Sequence, residues 1–128
     1  MPLSKWDKFE VEEKITKVLN VKSNPSGHHF KQPFMTSYQI AICLDKQYGL
    51  VKAMGMPIGG KGTGQHNSLA QYIARELSTR IKKKRISHIE GAFLYRGYLK
   101  TLKYKHKNKN IENSLGESWD LSMYRLIK

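Results

Sequence analysis

The apolar residues of this chain change their spacing near Arg85, and that change limits the fold more than any other feature. Before Arg85, apolar side chains recur at three- and four-residue steps, which is typical of amphipathic helices. After it, the segments IEGAFLY, YLKTLKYK and WDLSMYRLI are short, rich in β-branched and aromatic residues and partly alternating, which indicates strands. The sequence therefore predicts an α+β fold with a three-helix core followed by a C-terminal antiparallel β-ribbon.

Three helices are expected before the change in spacing. The first spans residues 8–20, with Asp7 as the N-cap of a capping box. The second is TSYQIAICLDKQY, capped by its first or second residue and interrupted at Gly49. The third is SLAQYIARELSTRIKKK, capped by Asn67 or Ser68. In the ribbon, the polar stretch HKNKNIENSLGE is expected to form the hairpin tip between the last two strands.

Length and composition favour one cytoplasmic domain. A chain of 128 residues is normally a single unit, so residues 1–128 are assigned to one domain with one core. No apolar run is long enough to span a bilayer, and MPLSKWDKFEVEEK lacks the apolar block of a signal peptide. The single cysteine, Cys43, excludes an internal disulfide and most cysteine-based zinc sites. We expect a cytoplasmic protein without a membrane partner, and a homodimer is left open.

The charge is large and unevenly placed. The formal net charge is +13, and eleven basic residues lie between Arg80 and Lys109, where Glu90 is the only acid. Such a field attracts polyanions and speeds encounter with them. We therefore expect a nucleic-acid partner, with duplex DNA favoured over RNA or single strands, and no cofactor.

The third helix has the two faces that a DNA-reading helix needs. Its core side is apolar: Leu69, Ile73, Leu77 and Ile81. Its opposite side carries Gln71, Arg75, Ser78, Thr79 and Lys82. Such side chains bond base edges and phosphates in a major groove. With the preceding helix it would form a helix-turn-helix-like core, and the ribbon would take the place of the wing in a winged-helix protein. The connection from Gly49 to Asn67 is, however, far longer than a three- or four-residue turn.

Two clusters of basic residues are assigned to phosphate contacts. One begins at Lys82, on the reading face of the third helix, and continues with Lys83, Lys84 and Arg85. The other lies on the ribbon and consists of Arg96, Lys100, Lys103 and Lys105. Phosphate contacts position a protein on DNA without distinguishing bases.

The glycine-rich stretch at residues 55–64 is a candidate phosphate-binding loop. It matches the G-x-x-x-x-G-K pattern, but Gly62 stands where a magnesium-binding Ser or Thr belongs, so a nucleotide hydrolase is not expected. Exposed backbone N–H groups, the charge of Lys61 and the helix N-terminus at Ser68 still suit a phosphate, on DNA or on a free nucleotide. The assigned loop residues are Gly59, Gly60, Lys61, Gly62, Thr63 and Gly64. A flexible connector is the simpler alternative, and no metal is expected.

Histidines on loops open an enzyme alternative. His28, His29 or His66, with Lys61 holding the phosphate and Glu90 as an acid, would suffice for metal-free phosphodiester cleavage. A lone loop histidine is more often a hydrogen-bonded residue, and no H-x₃-H spacing supports zinc. The sequence therefore does not favour an enzyme and assigns no catalytic residue.

Aromatic residues alternate with basic ones after the third helix. Phe93, Tyr95, Tyr98 and Tyr104 are interleaved with arginine and lysine in this part of the chain. Such a pattern can stack the bases of a single strand. We expect about half of these rings in the core instead, since one face of the ribbon must cover the helices. If the rings are exposed instead, single-stranded DNA or RNA becomes a more plausible partner than duplex.

Overall fold

A computed structural model describes residues 4–21, 32–59, 68–95, 98, 101–107, 109–114 and 121–127. Its helices are α1 (Lys5–Lys8), α2 (Val11–Leu19), α3 (Ser37–Tyr48), α4 (Leu50–Met54) and α5 (Leu69–Lys82). Its strands are β1 (Met35–Thr36), β2 (Ile89–Leu94), β3 (Thr101–His106), β4 (Lys109–Ser114) and β5 (Leu121–Leu126). The predicted α+β class is confirmed. Within those ranges, no helix is both long and apolar enough to cross a membrane.

The N-terminal segment forms two helices rather than one. The Ser4 side chain accepts the N–H of Asp7 and caps α1, and Glu10 adopts a left-handed conformation at φ 50° between α1 and α2. The predicted single helix capped by Asp7 is therefore wrong. Trp6 and Val11 are both buried, and in an unbroken helix they would point about 140° apart. The break at Glu10 lets both side chains reach the core.

The second predicted helix has the caps that its sequence indicates. Thr36 Oγ1 accepts the N–H of Gln39 at 3.2 Å, and Gln39 Oε1 accepts the N–H of Thr36 at 2.8 Å, which completes a capping box at the start of α3. Gly49 ends α3 with φ 63°, and α4 begins at the next residue. The expected interruption at Gly49 is confirmed.

The core lies between α2, α3 and α5 and one face of a three-stranded antiparallel sheet. Strand order in this sheet is β1-β5-β2, so β5 is central. The largest fully buried side chains are Ile15, Leu19, Ile40, Leu44, Leu50, Leu69, Ile73, Leu77, Ile89 and Tyr124. The predicted apolar stripe of the third helix is thus confirmed, with Ile81 half-buried at its end.

The ribbon is made from a different pair of strands than expected. Lys109–Ser114, predicted as part of the hairpin tip, forms β4 and pairs with β3, while β5 pairs with β2. The turn between β3 and β4 is much shorter than the predicted tip, because His106 already pairs with Lys109. Lys107, within this turn, adopts a left-handed conformation at φ 51°. Ile111 pairs opposite Tyr104 and packs against the core, which gives the polar β4 sequence an apolar anchor.

The ribbon is fixed to α3 by two sets of contacts. The ring of Tyr104 stacks on that of Tyr38, with centroids 5.3 Å apart. At the tip, His106 Nε2 donates to Asp45 Oδ2 at 2.7 Å, and Lys107 Nζ lies 3.2 Å from the same oxygen. Burial alone would raise the pKa of the Asp45 carboxyl, but the hydrogen bonds from His106 and Lys107 lower it below its usual value.

Candidate nucleic-acid interface

The N-terminus of α5 has its backbone donors already bonded. Leu69 N–H donates to Pro57 O at 2.7 Å, Ala70 N–H to Ile58 O at 3.0 Å, and Gln71 N–H to the capping Ser68 Oγ at 3.2 Å. Helix N-termini hold anions through such first-turn donors. A phosphate at this end of α5 would have to replace these internal bonds.

Gly59 is required by packing at the same place. Its φ is 120°, and a Cβ atom there would stand 2.9 Å from the side chain of Ser68. Only glycine fits that approach. The other residues assigned to the loop (Gly60, Lys61, Gly62, Thr63 and Gly64) lie outside the described residues, as do His28, His29, His66, Arg96 and Lys100. Phosphate binding by the loop stays a prediction.

The outward face of α5 carries the residues expected for base reading. Gln71, Arg75, Ser78 and Lys82 are all exposed and span about 16 Å along the helix. Arg80 Nη2 lies 3.3 Å from Glu76 Oε1, whereas Arg75 Nε is 3.9 Å from the other carboxylate oxygen. Arg75 also lies over the Tyr72 ring, 5.8 Å from its centroid, and 57% of its side chain is exposed.

Ser78 has a more restricted role than its sequence position indicates. Tyr124 on β5 donates its hydroxyl proton to Ala74 O at 3.1 Å, and its oxygen lies 2.7 Å from Ser78 Oγ. Burial raises the pKa of Tyr124, which keeps that proton in place. With the Tyr124 proton on Ala74 O, Ser78 is the donor in the shorter bond, because a tyrosine hydroxyl donates only once. Its oxygen then remains available to a ligand only as an acceptor.

A basic turn, defined as residues Lys82–Arg85, ends α5. Arg85 N–H donates to Arg80 O at 2.9 Å and Lys84 N–H to Ile81 O at 3.0 Å, the bonding pattern of a Schellman motif. Lys84, with φ 60°, occupies the position where glycine is preferred. All four side chains of the basic turn are exposed, so it presents four adjacent cations.

An apolar groove of about 280 Å³ lies between α5 and the sheet. Ser78, Ile81, Lys82, Gly91, Phe93, Ser122 and Tyr124 are among its lining residues. Phe93 and Tyr95 are each 69% exposed and Tyr98 is fully exposed, while Tyr104 is half-buried against α3. The expectation that about half of these four rings lie in the core is therefore wrong: Tyr124, whose ring covers this part of the core, fills the space they would have taken.

The other charged residues singled out in the sequence lie on the ribbon and on the three-stranded sheet. On β3, Lys103 and Lys105 are exposed on the face opposite Tyr104. Glu90, the acid of the nuclease alternative, accepts a hydrogen bond from Arg125 on the neighbouring strand. In the part of the chain that the structure describes, no group of three or more His, Cys, Asp or Glu residues is placed to hold a metal ion.

Two residues of the interface were not found from the sequence. Tyr124 orients Ser78, and Gly91 leaves room for the Tyr124 ring. A glycine inside a strand often marks a close approach, and this is the one signal that could have found Gly91. No family model, no curated protein and no solved structure matches this chain. The interface itself must therefore carry the functional argument.

Proposed function

We propose that this protein binds nucleic acid through the outward face of α5 and the basic turn. Duplex DNA is the favoured partner of that helical face, while the exposed rings of Phe93, Tyr95 and Tyr98 add support for a single-stranded partner. The observation that carries the proposal is the left-handed conformation of Lys84. A side chain there costs roughly 1 kcal/mol relative to glycine. Three other exposed cations, Lys82, Lys83 and Arg85, lie next to Lys84. An anionic partner that binds the Lys84 side chain would offset the cost of placing a lysine rather than a glycine at this position.

The two parts of the surface would have different tasks. The basic turn would contact phosphates, which supply most of the affinity and none of the sequence preference. Arg75 and Gln71 would meet base edges, where a good bidentate contact contributes about 1–3 kcal/mol of discrimination. Ser78, limited to accepting, would favour the amino groups of adenine or cytosine.

A winged-helix-like arrangement is part of the proposal. It is supported by the order α2-β1-α3-α5-β2-ribbon-β5 and by a sheet in which β5 lies between β1 and β2. In this interpretation α3 supports α5, and the ribbon carrying Lys103 and Lys105 is the wing. Two features depart from the pattern: the connection between α4 and α5 is long, and the ribbon packs on α3.

Two triple variants of equal charge test the proposal. The first replaces Lys82, Lys83 and Arg85 with glutamine, and the control does the same to the exposed Lys5, Lys17 and Lys52. Both lower the net charge by three. Fluorescence anisotropy with a labelled duplex at about 100 mM salt should show at least about tenfold weaker binding for the first variant and little change for the control.

The matched control distinguishes binding through the basic turn from binding that depends only on the net charge of the protein. Equal weakening by both triple variants would mean that binding follows net charge alone and would overturn the proposed surface. Single-stranded DNA and RNA of the same length, measured in parallel, show whether duplex DNA is the preferred partner. Circular dichroism of each variant establishes that the fold is intact.

A further inference from the structure

Two large aromatic rings are exposed at the end of β2. Phe93 lies on the strand and Tyr95 follows directly after it, and each is 69% exposed. Phe93 also lines the groove, where it faces Ile81 and Lys82 of α5. Large exposed rings grouped at a concave surface mark interaction sites more often than singly scattered ones do.

The groove has a rigid floor. The Tyr124 ring is held by hydrogen bonds of its hydroxyl to Ser78 and to Ala74 O, and it packs against Gly91 on the neighbouring strand. A pre-formed apolar slot needs little reorganisation to accept a flat ring. Two serines, Ser78 and Ser122, are also among its lining residues.

The rim of the groove is cationic. Lys82 lines it and begins the basic turn, which continues away from it as three more exposed cations. The acids closest to these residues in sequence are already engaged: Glu76 pairs with Arg80 and Glu90 with Arg125. An apolar slot for a flat ring next to cations for an anion matches the two halves of a nucleotide.

We propose that Phe93 stacks on an unpaired nucleobase seated at the groove while the basic turn holds the flanking phosphates. The protein would then bind DNA where a duplex meets a single strand, an inference that rests on the proposed function. A paired base inside a duplex has neighbouring bases on both faces and offers none to Phe93, whereas an unpaired base can turn a face to the ring. Because every base has such a face, this contact tolerates any sequence.

The test compares a blunt duplex with the same duplex extended by an overhang of about six nucleotides. Stacking of one base predicts that the wild type binds the overhang substrate about fivefold or more tightly than the blunt one in anisotropy titrations. Phe93→Ala should abolish this preference, so that overhang and blunt substrates bind it equally. Ile127→Ala removes another exposed apolar side chain and should preserve the preference.

A second substitution distinguishes stacking from apolar contact. Phe93→Leu keeps apolar volume but removes the ring, so it should lose the preference as Phe93→Ala does. Retention of the preference in either Phe93 variant would overturn the inference, as would equal binding of blunt and overhang substrates by the wild type. In those cases blunt-duplex binding would leave the proposed function standing. Failure to bind either substrate would overturn both.

Discussion

Gly91 lies opposite Tyr124 in the antiparallel pair β2–β5, and a Cβ atom at position 91 would stand 3.2 Å from two carbons of the Tyr124 ring. The ring cannot easily retreat, because its hydroxyl is bonded to Ser78 and to Ala74 O on α5. The absence of a side chain at Gly91 therefore allows Tyr124 to connect the sheet to α5, the helix that carries the proposed interface.

Substitution of this glycine should destabilise the fold. We expect Gly91→Ala to lower the free energy of unfolding by about 1–2 kcal/mol in urea denaturation, because the added methyl group crowds a fixed ring. In a Tyr124→Phe background the ring has lost its hydroxyl anchors and is freer to shift, so the same substitution should be less destabilising. An equal effect in both backgrounds would contradict this account of the contact.

Lys84→Gly should separate strain from charge. Glycine adopts φ 60° without steric conflict, so we expect the free energy of unfolding to rise by about 0.5–1 kcal/mol, while affinity for DNA falls by the loss of one cation. Lys83→Gly is the matched control: it removes the same charge at φ −83°, where no strain is relieved. Stabilisation of both variants, or of neither, in thermal or urea denaturation would show that Lys84 is not strained.

The contact of Asp45 with His106 and Lys107 makes ribbon docking dependent on pH. A carboxyl whose pKa is lowered in the folded state adds stability above its unfolded pKa, about 4, and loses it as pH falls through the folded value. We expect Asp45→Asn to be about 1–3 kcal/mol less stable at neutral pH. Its stability should also fall less than that of the wild type between about pH 4 and pH 2. Parallel acid denaturation curves would contradict the assigned role of Asp45.

Arg75 should determine sequence preference rather than general affinity. Once a preferred duplex has been selected, we expect Arg75→Ala to weaken its binding by about 1–3 kcal/mol and to affect unrelated duplexes less. Arg75→Lys keeps the charge without the bidentate fork, so it should lose discrimination while keeping non-specific binding. If competition titrations show all sequences weakened equally, α5 does not read bases through Arg75.

The features predicted correctly are those that depend on nearby residues. The capping residues Thr36 and Ser68, the interruption at Gly49 and the apolar stripe of α5 are each determined within a few positions of the chain. The same local reasoning fails at Glu10, where the left-handed break serves the burial of Trp6, a tertiary requirement.

The features that the sequence misplaced depend on long-range pairing. The strand β4 has a polar sequence, and what anchors it is Ile111, which pairs opposite Tyr104 and packs against the core. Phe93 is on β2 and Tyr124 is on β5, so which ring packs against α5 depends on which of these strands is central in the sheet. The spacing of apolar residues along the chain does not determine the order of strands. The sequence therefore raised base stacking by these rings only as an alternative, because it could not tell which of them are exposed.

The most direct test of the central claim is the salt dependence of duplex binding. We would titrate a labelled duplex of about 20 base pairs with the wild type and with the Lys82, Lys83 and Arg85 triple variant, from about 50 to 300 mM salt. If the basic turn contacts phosphates, log affinity should fall steeply with log salt for the wild type, and the variant's slope should be shallower by about 2–3. No duplex binding at the lowest salt, or the same slope for both proteins, would contradict it.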